Sequence, residues 1–123
     1  MLEHLSIGVK DMARAKAFYD AALKPLGGKM LSDYGSAVGY GVEAPKLWVM
    51  AADKPVKPEA KNGLHVCLAA PTRAAVDKFH AAALKAGGKD NGKPGVRTDY
   101  SPNYYAAFVF DPDGYRLEAV CFK

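Results

Sequence analysis

The sequence predicts an α+β fold: two tandem βαβββ modules whose strands combine into a curved mixed sheet, a cup with helices outside. Three observations carry this. Residues 4–29, HLSIGVKDMARAKAFYDAALKPLGGK, return at 65–89 as HVCLAAPTRAAVDKFHAAALKAGGK, at an offset of 61 positions that becomes 60 once Pro25 is passed. Each copy opens on strand-like alternation and runs into a helical apolar stripe closed by a Gly-Gly pair. Both copies also begin with a histidine, His4 and His65, which a strand–helix unit does not need in order to fold.

In the first module, Leu5, Ile7 and Val9 alternate with His4, Ser6 and Gly8. The bulky aliphatics take one face of the strand, so His4 belongs to the other. Asp11 is the expected N-cap of the following helix, with Ala15, Phe18, Ala22 and Leu23 as its stripe. Strands are expected over 29–34, 36–42 and 46–51, and then a Lys/Pro-rich connector, AADKPVKPEAKNG, without periodicity.

The second module repeats this plan. Val66 and Leu68 alternate with His65, Cys67 and Ala69, and Thr72 caps a helix with Val76, Phe79, Ala83 and Leu84 as its stripe. His80 matches Tyr19 and is expected on the helix surface. A Gly/Pro-rich loop follows, then strands over 103–110 and 115–122. DPDGY, residues 111–115, reverses the chain between them as a type I turn; it lacks the further oxygen ligands of a calcium loop. An offset of 70 carries residues 46–50 onto 116–120 and pairs Trp48 with Glu118. The chain thus reads as one domain, 1–123, with modules at 1–50 and 64–123 and a linker at 51–63, neither module burying its apolar face alone.

Composition excludes several roles. Half of the 123 residues are apolar and 24% are charged, a globular balance. The net charge is +4, but the 17 Lys and Arg are scattered without a run of five, which argues against a nucleic-acid partner. No stretch is long and apolar enough to span a bilayer, and the N-terminus lacks the pattern of a signal peptide. A cytoplasmic location is expected, with no membrane partner. Cys67 and Cys121 form no CxxC pair and are expected as reduced, buried thiols.

Two imidazoles and a carboxylate at equivalent repeat positions point to chemistry. Glu118 sits in the apolar strand RLEAVCF, where a carboxylate is costly unless paired or bound to metal. His4, His65 and Glu118 are therefore the candidate 2-His-1-carboxylate triad for a divalent ion (Fe, Mn, Ni or Zn). Such a triad fills one side of an octahedral ion and leaves positions for substrate and water or oxygen. Opposite it, Trp48 can wall a flat ligand. The segment GVRTDYSPNYYAAF leading into the next strand adds Arg97, Tyr100, Ser101, Asn103, Tyr104 and Tyr105. Arg97, Asn103 and Tyr104 join Trp48 as candidate substrate contacts, and Tyr105 joins Glu118 as a candidate catalytic group.

The stretches EHLSIGVKDMARAKAFYDAAL, GLHVCLAAPTRAAVDKFHAAALKAGG and FVFDPDGYRLEAV resemble the vicinal oxygen chelate superfamily, which groups glyoxalases, bleomycin-resistance proteins and extradiol dioxygenases. The resemblance spans essentially the whole chain. It implies paired βαβββ modules around a cup, metal ligands at His4, His65 and Glu118, a small-molecule substrate bound through adjacent oxygens, and a homodimer. It departs at Trp48, where glyoxalase I-like members carry a fourth ligand, because an indole nitrogen only donates. The implied activity is dioxygenase-like or glyoxalase-like (lyase or isomerase). The alternative is metal-free binding of a small molecule, as in the bleomycin-resistance proteins.

Overall fold

Two βαβββ modules follow one another in the computed structural model, which describes residues 1–123 apart from the side chain of Ala60. The first consists of β1 (Leu5–Val9), α1 (Met12–Leu23), β2 (Lys29–Asp33), β3 (Ala37–Gly41) and β4 (Pro45–Ala51). The second consists of β5 (His65–Ala69), α2 (Arg73–Lys85), β6 (Lys89–Val96), β7 (Tyr105–Phe110) and β8 (Arg116–Cys121). Each forms a four-stranded mixed sheet, ordered β1-β4-β3-β2 and β5-β8-β7-β6, with the first pair of each parallel. The duplication read from sequence is thus a duplication of topology.

Both helices begin where their caps predict. The Asp11 carboxylate accepts from the Arg14 amide and the Thr72 hydroxyl oxygen from the Ala75 amide, each at 3.0 Å, satisfying one of the free N–H groups of a first turn. α1 ends at Leu23 and tightens into a 3-10 turn over Lys24–Leu26, with Pro25 in it. Gly27 then closes that turn at φ 83°, a conformation that favours glycine.

Four expectations are corrected. The glycine- and proline-rich stretch KDNGKPGV is strand β6, not a loop. It is the edge of its sheet, and its register against β7 shifts on either side of Gly92, so Pro94 interrupts no ladder on both sides. In α2 the buried arc runs through Ala75, Val76, Phe79, His80 and Ala83, which leaves Leu84 38% exposed. His80 is inside that arc, its Nε2 2.8 Å from Asp90 Oδ1 on β6, and this pairing, with the Gly92 amide, holds the Asp90 carboxyl below its usual range. Cys121 is buried, but Cys67 is exposed; both are free thiols.

The sheets share no strand pairing. They are joined through their helix-bearing faces by one core that includes Phe18, Tyr19, Val49, Val76, Phe79 and Leu117. Among the cross-module hydrogen bonds, the Tyr19 hydroxyl donates to Asp111 Oδ2 and the Tyr115 hydroxyl to the Gly8 carbonyl, both at 2.6 Å, while the Lys10 amide and the Arg14 guanidinium donate to Asp113 Oδ1. The packing is close enough that a Cβ on Gly88 would stand 2.9 Å from the Phe18 ring. The two faces turned away from this core carry Trp48 and Glu118. Within one chain they are two half-surfaces of the expected cup. No helix is long and apolar enough to cross a membrane among the described residues.

Candidate functional site

Strand register assembles one half-site on the outward face of the second sheet. Glu118 on β8 stands between Cys67 on β5 and Phe108 on β7, and His65 stands beside Arg116. Paired residues share a face, so His65, Cys67, Arg116, Glu118 and Phe108 look the same way. Leu117, Ala119 and Cys121 alternate with them and enter the core.

Glu118 is 2% exposed, which demands partners for its carboxylate. Oε2 lies 3.0 Å from His65 Nε2, and Oε1 accepts the Tyr104 hydroxyl. Burial first, and the bond to Glu118 second, push the Tyr104 phenol above its ordinary range. The Cys67 thiol is pushed up to about 12 by desolvation and then by the Glu118 carboxylate beside it, so it is a neutral thiol, not a nucleophile. Around these polar groups the walls are aromatic. The His65 ring lies 6.1 Å from Phe108 at 29°, and Tyr104 meets Tyr100 and Phe122 edge-on at 4.9 and 5.3 Å. The Arg97 guanidinium covers the Phe108 ring at 5.3 Å.

The first sheet carries the other half-surface. The Trp48 indole stacks on Tyr34 at 6.0 Å and 17°. It lies flat over β3 because Gly39 leaves room; a Cβ there would be 3.1 Å from two indole carbons. His4 precedes β1 and is exposed, with Nδ1 bonded to the neighbouring Glu3 carboxylate.

The structure therefore brings His65, Glu118, Tyr104 and Arg97 together, and leaves His4 and Trp48 on the other sheet. No cluster of three or more His, Cys, Asp or Glu side chains capable of holding a metal is present among the described residues. Asn103 is exposed ahead of β7. Tyr105 is a correction. Its hydroxyl donates to Asp77 of α2 at 2.6 Å and Arg73 covers its ring at 5.0 Å, so it faces the helix and is turned away from Glu118. Sequence reasoning also missed Tyr34, Cys67, Phe108 and Arg116. Period-two alternation from His65 would have found Cys67, and counting back across the DPDG turn would have placed Phe108 opposite Glu118. Nothing in the sequence signals Tyr34.

The His65 Nε2–Glu118 Oε2 separation of 3.0 Å is that of an ordinary N–H···O hydrogen bond. It is also about the spacing of neighbouring donors around an octahedral ion with bonds of about 2.1 Å, so the pair is compatible with sharing one. A groove of about 620 Å³ runs beside β5, lined by Leu23, Leu26, Tyr40, Leu47, Cys67 and Leu68 among others. β5 and β1 are each the unpaired edge of their sheet on that side.

Comparison with known proteins agrees with this architecture. Residues 1–119 match the family model described as the Glyoxalase/Bleomycin resistance protein/Dioxygenase superfamily. A solved glyoxalase/bleomycin resistance protein from Albidiferax ferrireducens T118 is 30% identical, with TM-score 0.80, covering 95% of this chain and 94% of that one. A glyoxalase/bleomycin resistance protein/dioxygenase family enzyme from Burkholderia phytofirmans PsJN shares the fold at 16% identity, with TM-score 0.73 and coverage of 99% and 98%. A glyoxalase-related enzyme from Fulvimarina pelagi does so at 15% identity, with TM-score 0.73 and coverage of 98% and 86%. No curated protein matches the chain.

Proposed function

The chain belongs to the glyoxalase/bleomycin resistance protein/dioxygenase superfamily, and we propose that it is a small metal-dependent enzyme whose site is completed by a second copy of itself. His65 and Glu118 of one copy and His4 of the other would hold a divalent ion of the Fe, Mn, Ni or Zn class. The observation that carries the reading is the His65–Glu118 pair, spaced at 3.0 Å on an open strand face with Glu118 buried. Its support is threefold: His4 occupies the repeat position equivalent to His65, β1 and β5 are free sheet edges, and an apolar groove flanks β5.

A divalent ion held there supplies Lewis-acid stabilisation of enolate or oxyanion charge on a substrate chelated through adjacent oxygens. The chain's own groups do the rest. Tyr104 orients Glu118 by donating its hydroxyl hydrogen bond to Oε1. Phe108 covers one side of the pair, Tyr100 and Phe122 form an exposed aromatic rim around Tyr104, and the Trp48–Tyr34 stack would offer a flat apolar wall from the opposite half. Asn103, exposed at the entrance to β7, is a substrate contact at the rim.

Subunit complementation tests this. His4→Ala and Glu118→Gln chains, each purified without chelator, are expected to retain little metal. Unfolded together and refolded as mixed dimers, they regain one intact site per mixed pair, because one chain keeps His65 and Glu118 and the other keeps His4. Metal content by mass spectrometry that is full in either single variant, or absent from the mixture, overturns the reading.

A second reading, metal-free capture of a small aromatic molecule, has its own support. Both Glu118 oxygens already have partners within the chain, so the carboxylate is satisfied without an ion. That reading predicts ligand binding that survives excess chelator and His65→Ala.

A further inference from the structure

Strand β6 is an unusual strand, and its composition points to what it supports. Its sequence KDNGKPGV carries two glycines, Gly92 and Gly95, where its ladder with β7 is irregular. Both lie beneath one side chain. A Cβ on Gly92 would stand 3.3 Å from Arg97 Nη2 and 2.9 Å from the Phe108 ring, and a Cβ on Gly95 would stand 3.1 Å from Arg97 Nη1. A side chain at either position would press on the guanidinium, and at Gly92 on the Phe108 ring as well, so the two glycines leave it room to lie flat. Two carbonyls then clamp it, with Nη1 donating to Gly95 O at 2.9 Å and Nη2 to Lys93 O at 2.6 Å.

The seat puts the guanidinium over the Phe108 ring at 5.3 Å, on the face that carries His65 and Glu118. Guanidinium has five N–H donors, and the two carbonyls use two of them. No Asp or Glu pairs with it among the described residues. Arg116, beside His65 in the register, is likewise unpaired by a carboxylate; its Nε donates to the Leu64 carbonyl at 3.1 Å. The face therefore carries two fixed cations against the single carboxylate of Glu118, which His65 and Tyr104 already engage. Half-buried guanidinium held rigid without a counter-ion is poised for a planar anion, which it can meet with two parallel hydrogen bonds.

We propose that Arg97, seated on the glycines of β6 over Phe108, selects substrates that carry a carboxylate on a flat, aromatic body. The carboxylate takes the free guanidinium edge, the ring packs against Phe108 and Tyr104, and Arg116 adds a second positive charge at the His65 end. This rests on the outward face of the second sheet being the binding site, and it names the substrate class for that site.

The experiment uses matched probes on the metal-loaded wild-type chain: benzoate against benzamide, and 2-hydroxybenzoate against 2-hydroxybenzamide, followed by NMR titration of the arginine Nε–Hε resonances. Each acid is expected to bind about tenfold more tightly than its amide, with the Arg97 resonance shifting and the preference shrinking at high salt. Arg97→Gln abolishes the preference while metal content stays at the wild-type value; Arg97→Lys restores part of the preference. Equal binding of acid and amide, a preference that persists in Arg97→Gln, or an Arg97 resonance that no acid moves overturns the proposal. Metal content reports separately on the proposed ligands, so failure of the metal reading and failure of the carboxylate reading remain distinguishable.

Discussion

Replacing Tyr19 with Phe removes one hydroxyl from the join between the modules and leaves the ring in place. That hydroxyl donates at 2.6 Å to Asp111 Oδ2, and Oδ1 of the same carboxylate accepts from the Asp113 and Tyr115 amides at 3.0 and 2.8 Å. Asp111 is 3% exposed, and burial pushes its carboxyl above the usual range, against the downward pull of these donors. Without the hydroxyl, Oδ2 has no protein donor. A buried hydrogen bond to a charged group contributes about 1.5–3 kcal/mol, so a loss of about 2 kcal/mol is expected at neutral pH, or about 6 °C in Tm for a domain of this size. Because the folded pKa lies above the unfolded one, the folded state binds more protons between them. Asp111's contribution to stability is therefore greatest below the unfolded pKa and falls as pH rises through the folded one. Tyr19→Phe raises the folded value further, so its penalty should grow as pH rises from acid toward neutral. The control is Tyr40→Phe, whose hydroxyl donates at 2.9 Å to Asp20, an exposed acceptor that water can serve instead. Its cost should be about 0.5–1 kcal/mol. Urea unfolding of both variants across that pH range decides. Equal costs, or a Tyr19→Phe penalty flat with pH, would refute burial of Asp111 as the cause.

Tyr104→Phe frees Glu118 Oε1 and should destabilise the chain by about 1–2 kcal/mol in thermal unfolding, and should weaken metal uptake measured by calorimetry about tenfold or more, because the carboxylate loses the bond that orients it; unchanged uptake would count against Glu118 as a ligand. Gly41→Ala would place a Cβ 1.8 Å from the Ala44 carbonyl oxygen, a backbone clash in the β3–β4 turn, whereas Gly35, at φ 82°, has nothing within 4 Å of such a Cβ. Thermal unfolding should show a loss above about 3 kcal/mol for Gly41→Ala and about 1–2 kcal/mol for Gly35→Ala, whose cost is backbone strain alone.

What could be read from the sequence follows how local each signal is. The repeat, both caps, the Gly stops and the period-two faces of β1 and β5 depend on neighbouring residues, and all of these appear in the structure. β6 was missed because its Gly and Pro mimic a loop, and only its place at a sheet edge tolerates them. Leu84 and His80 exchanged expected environments because the buried arc of α2 is set by contact with β6, where Asp90 supplies a partner for the imidazole. Tyr105 was misassigned for a related reason. Alternation along β7 puts it on the helix side, but only the register against β8 says which side that is. His65 and Glu118 were legible as a pair; their separation from His4 was not, since no local pattern encodes how two modules meet.

The way they meet bears on what the duplication is for. Equivalent positions in the two sheets differ most at one pair: Ser6 against Cys67 and Lys46 against Arg116 are modest exchanges, whereas Trp48 stands against Glu118. The second sheet thus holds the buried carboxylate, and the first an indole laid flat on a glycine. Joined back to back through Tyr19–Asp111 and Tyr115–Gly8, the modules of one chain cannot turn these faces toward each other. On the proposed reading, a site with both a polar floor and the Trp48 wall would take two copies, with β1 of one approaching β5 of the other. The cross-module bonds would then stabilise the monomer and hold apart the two faces that a second copy would bring together, and weakening them should loosen the fold before it changes which residues meet.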